Sequence, residues 1–203
     1  MPIDTIIWDL GGVLVDWDPR YLYKKVFRTE AAVEYFLSAI CTSDWNEEQD
    51  AGRSFEEATT VLSSQFPEYK TEISMFYDRW AEMLAGPIHE NVELLRKMKE
   101  SGKLRLYALT NWSAQSFPVA LERFEFLQWF DGILVSGQEK LKKPDPAIYY
   151  LTLERFNIDR SSALFIDDNL RNVKAARSLN ISSIHFENPV QLYSQLVQFG
   201  LIG

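Results

Sequence analysis

The stretch TIIWDLGGVL, Thr5–Leu14, decides the architecture. A short apolar run of strand length stops at a carboxylate, Asp9, and the glycine pair Gly11-Gly12 then breaks the strand into a turn. A second run of the same kind, SALFIDDN, ends in Asp167-Asp168. Between them lie two further polar strand ends, Thr110-Asn111 in LYALTNWS and Lys143 in KLKKPDP. Loops at the carboxyl ends of neighbouring strands in an open α/β sheet meet in one crevice, so groups more than 150 residues apart can converge there.

Working outward, residues 3–8 read as the first buried strand, and the chain then leaves the sheet. From about Asp16 to Pro87 the pattern is helical throughout: Ser54 and Glu57 have capping-box spacing, and Ile73, Phe76, Tyr77, Trp80 and Leu84 form one apolar helical face. Beyond that, helices predicted near 89–101, 113–124, 145–157, 169–179 and 188–198 alternate with strands at 104–109, 132–136, 163–166 and 182–186. This alternation implies right-handed βαβ units and a parallel sheet. Asp145-Pro146 suits the start of the helix after Lys143, and Thr110-Asn111 could cap a helix beginning around Ser113. Val15–Pro19 and Ala85–Ile88 read as hinges joining the helical segment to the rest.

With 203 residues and 46% apolar content, the chain can build one substantial core, or a core plus a small insert. No run approaches the roughly 20 apolar residues that span a bilayer, and the N-terminus lacks the basic region of a secretory signal, so a cytoplasmic protein without a membrane partner is expected. The single Cys41 forbids an internal disulfide, and His89 with His185 gives no zinc cluster or histidine-based triad. A net charge of −8 argues against nucleic acid as a partner. Monomer and homodimer both remain open. What remains for chemistry is carboxylates and a hard cation.

In order, the carboxylate, the hydroxyl-amide pair, the lysine and the carboxylate pair resemble the four motifs of the haloacid dehalogenase superfamily of hydrolases, in its branch with a helical cap inserted after the first motif. The resemblance implies an α/β fold: a Rossmann-like parallel-sheet core from residues 1–15 and 88–203, with a small α-helical cap domain, 16–87, inserted. It implies that Asp9 is the nucleophile, that Thr110 with Asn111 holds the transferred group, and that Lys143 steadies charge. Asp9, the Gly11 carbonyl, Asp167 and Asp168 would then hold Mg²⁺. The implied activity is that of a phosphatase acting on a small phosphorylated metabolite through an aspartyl-phosphate. A first motif reading DLG resembles that of phosphatases acting on sugar 1-phosphates.

The residues fit such chemistry. A carboxylate nucleophile splits phosphoryl transfer into two steps, and a divalent cation lets it approach an anion. Gly11-Gly12 allow close backbone approach to a phosphate, so Gly12 joins Thr110 and Asn111 as a binding candidate. Asp167 and Asp168 repel unless a cation lies beside them, and replacing both should relieve that crowding. Asn172, one turn further, either bonds this cluster or sits exposed, and Lys142 is expected to be solvated. In the segment CTSDWNEEQDAGRSFEE, Trp45 either stacks on a sugar or packs, and Arg53 either reaches a second anion or is solvated. Trp112 carries the same ambiguity as Trp45.

One departure stands out. Most phosphatases of the superfamily carry a second Asp two residues after the nucleophile, as acid and base; Gly11 occupies that position here. General acid-base help is worth about 10²–10⁴ in rate, so either the substrate has a good leaving group or the cap supplies the group, with Asp16, Asp44 and Asp50 as candidates. The alternatives are a 2-haloacid dehalogenase, which also lacks that Asp and needs no magnesium, and a low-turnover binding or regulatory protein on the same scaffold.

Overall fold

The computed structural model of the chain describes residues 2–202. It begins with β1 (Thr5–Trp8) and β2 (Val15–Trp17), followed by α1 (Arg20–Val26), α2 (Glu30–Tyr35), α3 (Ser43–Asp50), α4 (Phe55–Gln65) and α5 (Lys70–Asp78). Then come β3 (Leu84–Pro87), α6 (His89–Ser101), β4 (Arg105–Thr110), α7 (Phe117–Arg123), β5 (Gly132–Val135) and the short α8 (Ser136–Glu139). The last part comprises α9 (Pro146–Arg155), β6 (Ala163–Asp167), α10 (Leu170–Ser178), β7 (Ser182–His185) and α11 (Pro189–Gln198).

Five strands form one parallel sheet in the order β5-β4-β1-β6-β7. The chain builds outward from β1 to one side, through β4 to β5, and then returns to build the other side through β6 to β7. The crevice outside the strand ends therefore opens at β1. Successive residues alternate between faces. Ile6, Trp8, Leu106, Ala108, Leu164 and Ile166 pack with Leu94, Leu95 and Met98 of α6 and with Leu192 and Leu196 of α11. Ile7, Tyr107, Leu109, Ala163 and Phe165 pack on the other face with Ile148 and Tyr149 of α9 and Ala176 of α10. Burial on both faces is why these strands read as unbroken apolar runs.

Between β2 and β3 the chain is almost wholly helical. Its apolar side, including Tyr23, Phe36, Ile73 and Phe76, is continuous with the α6 and α11 side of the sheet. Ser54 caps α4 by accepting from the Glu57 N–H, and Asp145 caps α9 by accepting from the Ala147 N–H, with Pro146 at the helix start. Four expectations need correction. Lys143 ends no strand: β5 stops at Val135, and α8 and a loop separate it from Lys143. The two segments read as hinges pair with each other, β2 antiparallel to β3, in a separate two-stranded sheet. The single apolar face from Ile73 to Leu84 is split, because α5 ends at Asp78 and Leu84 belongs to β3. Finally, α7 starts at Phe117 rather than Ser113: Pro118 has no N–H to donate and fits only in a first helical turn. Thr110-Asn111 therefore cap no helix.

Candidate active site

Lys143 is the hub of the site. Its ammonium, fully buried, donates to Asp9 Oδ1 (2.9 Å) after β1, Asp167 Oδ2 (2.7 Å) at the end of β6 and the Leu109 carbonyl (2.9 Å) in β4. Three donors thus meet three acceptors on three adjacent strands. Burial alone would lower this ammonium's pKa, but Asp167 and Asp9 outweigh it and raise it, so the lysine stays charged. Its backbone is held as firmly: Asn111 accepts from the Lys143 N–H (2.8 Å) and donates to the Lys143 carbonyl (2.9 Å). Both ends of the Asn111 amide are therefore spent on Lys143.

Asp9 is buried, and its Oδ1 also accepts from the Leu10 N–H (2.8 Å). Among the described residues no donor reaches Oδ2. Burial pushes the Asp9 carboxyl well above the ordinary range; Lys143 opposes this, and Asp167 and Asp168 add to it. Asp167 is fully buried and additionally accepts from the Asn169 N–H (2.8 Å) and from the Asn172 amide on both oxygens (3.1 Å each). Asn172 thus bonds the cluster. Asp168 keeps an exposed surface, but protein atoms crowd its carboxyl; that partial desolvation and the nearby Asp167 charge raise its pKa, with Lys143 opposing.

One oxygen each from Asp9, Asp167 and Asp168 lie within 4.8 Å of one another. An all-oxygen, net negative donor set of this size suits a hard divalent cation. Gly12 sits against it: with φ +73°, its missing Cβ would fall 2.3 Å from Asp168 Oδ2, so only glycine lets the carboxylate approach. Gly11 is different, since a Cβ there would meet nothing within 4 Å. The Thr110 hydroxyl at the end of β4 is fully buried and has no hydrogen-bond partner among the described residues. A buried hydroxyl left unpartnered costs roughly 1–3 kcal/mol, a cost that an anion accepting from it would remove.

Gly11 and Asn111 open onto a chamber whose far walls are aromatic: Trp17, Phe55, Tyr77, Trp80 and Trp112. Phe55 and Tyr77 stack at 3.8 Å, and Trp80 meets Trp112 at 5.4 Å. The indole N–H groups of Trp17 and Trp112 have no partner among the described residues. Asn46 and Asp50 of α3 are the polar members of the helical wall. Burial, with Glu47 adding, raises the Asp50 carboxyl to about 7, opposed by Lys142, Lys143 and the Ser113 backbone N–H.

Two residues singled out from the sequence lie elsewhere. The Arg53 guanidinium donates to Gln49 Oε1 (2.7 Å) and the Trp45 carbonyl (3.0 Å), closing the end of α3. Trp45 packs edge-on against Phe76 and beside Tyr77, away from the chamber lining. Lys142, expected to be solvated, pairs with Glu47 (3.2 Å) and Glu48 (3.5 Å) of α3. Sequence reading missed Asn91, a buried amide that donates to the Val13 carbonyl and anchors the turn after Asp9. Its signal was a polar residue in the apolar stripe Leu94, Leu95, Met98 of α6.

The haloacid dehalogenase-like hydrolase family model matches residues 3–180. A sesquiterpene phosphatase of Aspergillus oryzae is 27% identical, covering 97% of this chain and 95% of its own. A phosphorylated carbohydrates phosphatase of Thermotoga maritima is 26% identical, covering 90% and 84%. Among solved structures, an enzyme of this family from Bacteroides thetaiotaomicron, in complex with magnesium and inorganic phosphate, superposes with a TM-score of 0.67 at 22% identity, over 91% of this chain and 94% of its own. The match spans every strand of the parallel sheet up to β6 together with Asp9, Thr110, Lys143, Asp167 and Asp168, and the chain belongs to the haloacid dehalogenase-like hydrolases.

Proposed function

We propose that this chain is a Mg²⁺-dependent phosphatase that moves a phosphoryl group from a small phosphorylated metabolite to Asp9 and then to water. In this reading residues 1–15 and 88–203 are the catalytic core, residues 16–87 are the cap over it, and the protein works in the cytoplasm. The observation that carries it is the state of Asp9: one oxygen is pinned by Lys143 and the Leu10 N–H, and the other is free to attack. Thr110, with its unpartnered buried hydroxyl, takes a phosphoryl oxygen, and Asn111 acts by fixing Lys143. Gly12 contributes backbone close to the phosphate. Asp9, Asp167, Asp168 and the Gly11 carbonyl would hold magnesium, which when bound neutralises charge on the transferring group. Lys143 offsets the repulsion among the carboxylates, as oriented charge in a dry site should.

For the organic part of the substrate, a sugar phosphate is the first reading, with the aromatic chamber walls facing its C–H surface. A second reading is the phosphate of an apolar alcohol, which the five aromatic members of the chamber suit equally; the Aspergillus relative is named a sesquiterpene phosphatase. The dehalogenase reading is less well supported, because three clustered carboxylates and a buried hydroxyl suit a cation and an oxyanion. The test is single-turnover reaction with phosphomonoesters of sugars and of apolar alcohols, with a 2-haloacid control, at graded magnesium. Phosphate on Asp9, found by mass spectrometry and dependent on magnesium, is expected. Halide release without magnesium would overturn the proposal, and binding without any phosphoryl transfer would favour a regulatory role.

A further inference from the structure

Hydrolysis through a carboxylate nucleophile moves two protons. The leaving alkoxide must gain one as its bond to phosphorus breaks, and the attacking water must lose one. Among the described residues beside Asp9, no ionisable group is free for this. Lys143 has all three N–H bonds committed, to Asp9, Asp167 and Leu109. Asp167 is saturated by Lys143, Asn169 and Asn172, and Asp168 completes the proposed cation set. Gly11 points its missing side chain into open space.

Across the chamber there is one carboxylate in the lining, Asp50, at the last residue of α3. The structure separates it from the other acids of the helical segment. Asp16 accepts from the Tyr21 hydroxyl (2.9 Å), and Asp44 lies exposed in the first turn of α3, lining an outer cleft. Asp50 is also held in place against the core. Glu47, one turn earlier, bridges Lys142 (3.2 Å) and Arg171 (2.9 Å), and the Phe55 N–H just beyond donates to Gln115 (2.8 Å). At Gly52 a Cβ would lie 2.9 Å from the Lys140 side chain and 3.4 Å from the Gly137 carbonyl, so the turn after Asp50 rests directly on α8.

We propose that Asp50, reaching into the chamber from the helical segment, is the proton carrier of the reaction. This rests on the phosphatase reading. In the first step Asp9 Oδ2 bonds to phosphorus, the bond from phosphorus to the leaving oxygen breaks with its electron pair on that oxygen, and the Asp50 proton passes to it, releasing the alcohol. In the second step water bonds to phosphorus, its proton passes to the Asp50 carboxylate, and the bond from Asp9 to phosphorus breaks, releasing phosphate. Asp50 ends protonated, as it began. A carboxyl raised to about 7, facing Glu47, Tyr77, Lys142 and Lys143, is matched to giving and taking a proton near neutrality.

The test is the isosteric Asp50→Asn variant with an alkyl phosphate and with p-nitrophenyl phosphate, whose leaving group needs no proton. On the alkyl phosphate kcat/KM should fall by about 10²–10⁴. On the aryl phosphate the burst of nitrophenolate should persist, followed by slow turnover with phosphate accumulating on Asp9. Gly11→Asp added to Asp50→Asn, which places a carboxyl in the open space two residues from Asp9, should recover part of the alkyl activity. Equal losses of kcat/KM on the two substrates, or none on either, would overturn the role of Asp50. Failure of the phosphatase reading would look different: a nitrophenolate burst surviving Asp9→Asn removes the nucleophile, whatever Asp50 does.

Discussion

At the ends of β1, β4 and β6 nearly every charged atom has a fixed partner within the protein, whereas in the chamber lining the indole N–H groups of Trp17 and Trp112 have none among the described residues. The first region is a closed electrostatic unit in which Lys143 balances two buried carboxylates. The second is an apolar wall whose few polar groups are left for something else to complete. Preorganised charge costs no reorganisation when a reaction occurs, and an incompletely paired wall gains most when a fitting molecule enters. Changes at the strand ends should therefore act on the chemical step and on stability. Changes on the wall should act on which leaving groups are handled.

The sharpest break is Asp9→Asn. The amide keeps the shape of the carboxyl but cannot form the covalent intermediate, so single-turnover phosphorylation should fall by on the order of 10⁴-fold or more. Folding should be little changed, because the Leu10 N–H and Lys143 still find an acceptor. Wild-type rates in this variant would dissolve the distinction between the two regions.

Lys143→Met comes next, and it acts on stability. It leaves Asp9 and Asp167 buried without a counter-charge, and breaking a buried pair this way costs about 3–5 kcal/mol. Urea unfolding at neutral pH should show that loss, and adding Asp167→Asn should return part of it. The structure also revises the expectation that replacing both Asp167 and Asp168 relieves crowding. Asp167 accepts from Lys143, Asn169 and Asn172, so relief should come from Asp168→Asn alone, and in both variants the magnesium requirement should rise.

The adjacent glycines offer a smaller contrast within one turn. Gly12→Ala combines a left-handed φ, costing roughly 1–2 kcal/mol, with displacement of the Asp168 carboxylate. It should lower both melting temperature and apparent magnesium affinity. Gly11→Ala meets open space at an ordinary φ and should leave the fold as stable or slightly more so, since alanine restricts the unfolded chain. Loss of folding in Gly11→Ala would mean that the turn, not the site, holds that glycine.

These contrasts also show what a sequence can carry. The polar ends of β1, β4 and β6 were legible because a doubly buried strand is an unbroken apolar run, and the first residue to interrupt it marks the crevice. Asp9, Thr110 and Asp167 announce themselves this way; Lys143, in the loop between α8 and α9, follows no strand and stood out only through the order of motifs and the proline after it. The chamber was legible only at Trp112, beside the second motif; Trp17, Phe55, Tyr77 and Trp80 come from separate parts of the chain, each an ordinary apolar residue in its own context. Trp45 and Arg53 drew attention as an aromatic and a cation in a polar segment, but helical geometry spends them locally: Arg53 lies four residues from Gln49, within reach of its amide. The β2 and β3 pairing was hidden because one partner is three residues long and the other contains Gly86 and Pro87.

Glu47→Gln probes the seam between the two regions and should have the smallest effect. Glu47 pairs with Lys142 and Arg171 across that seam, in half-exposed contacts of the kind worth about 0–1 kcal/mol each and weakened by salt. It also helps raise Asp50 to about 7. A carboxyl raised in the folded state holds a proton that the unfolded chain releases near its ordinary pKa, so its contribution to stability falls as pH rises toward about 7 and stays low above it. At pH 5.5 Asp50 is protonated in the folded protein, and the variant loses its ion pairs with nothing in return. At pH 8 Asp50 is ionised, and removing the Glu47 charge relieves repulsion that offsets the loss. The melting deficit of Glu47→Gln should therefore shrink from pH 5.5 to pH 8, and its size should stay within roughly 2–4 °C, the shift expected for about 1 kcal/mol in a chain of this length. A deficit that grows over that range would mean that Glu47 does not act on Asp50, leaving only its ion pairs with Lys142 and Arg171.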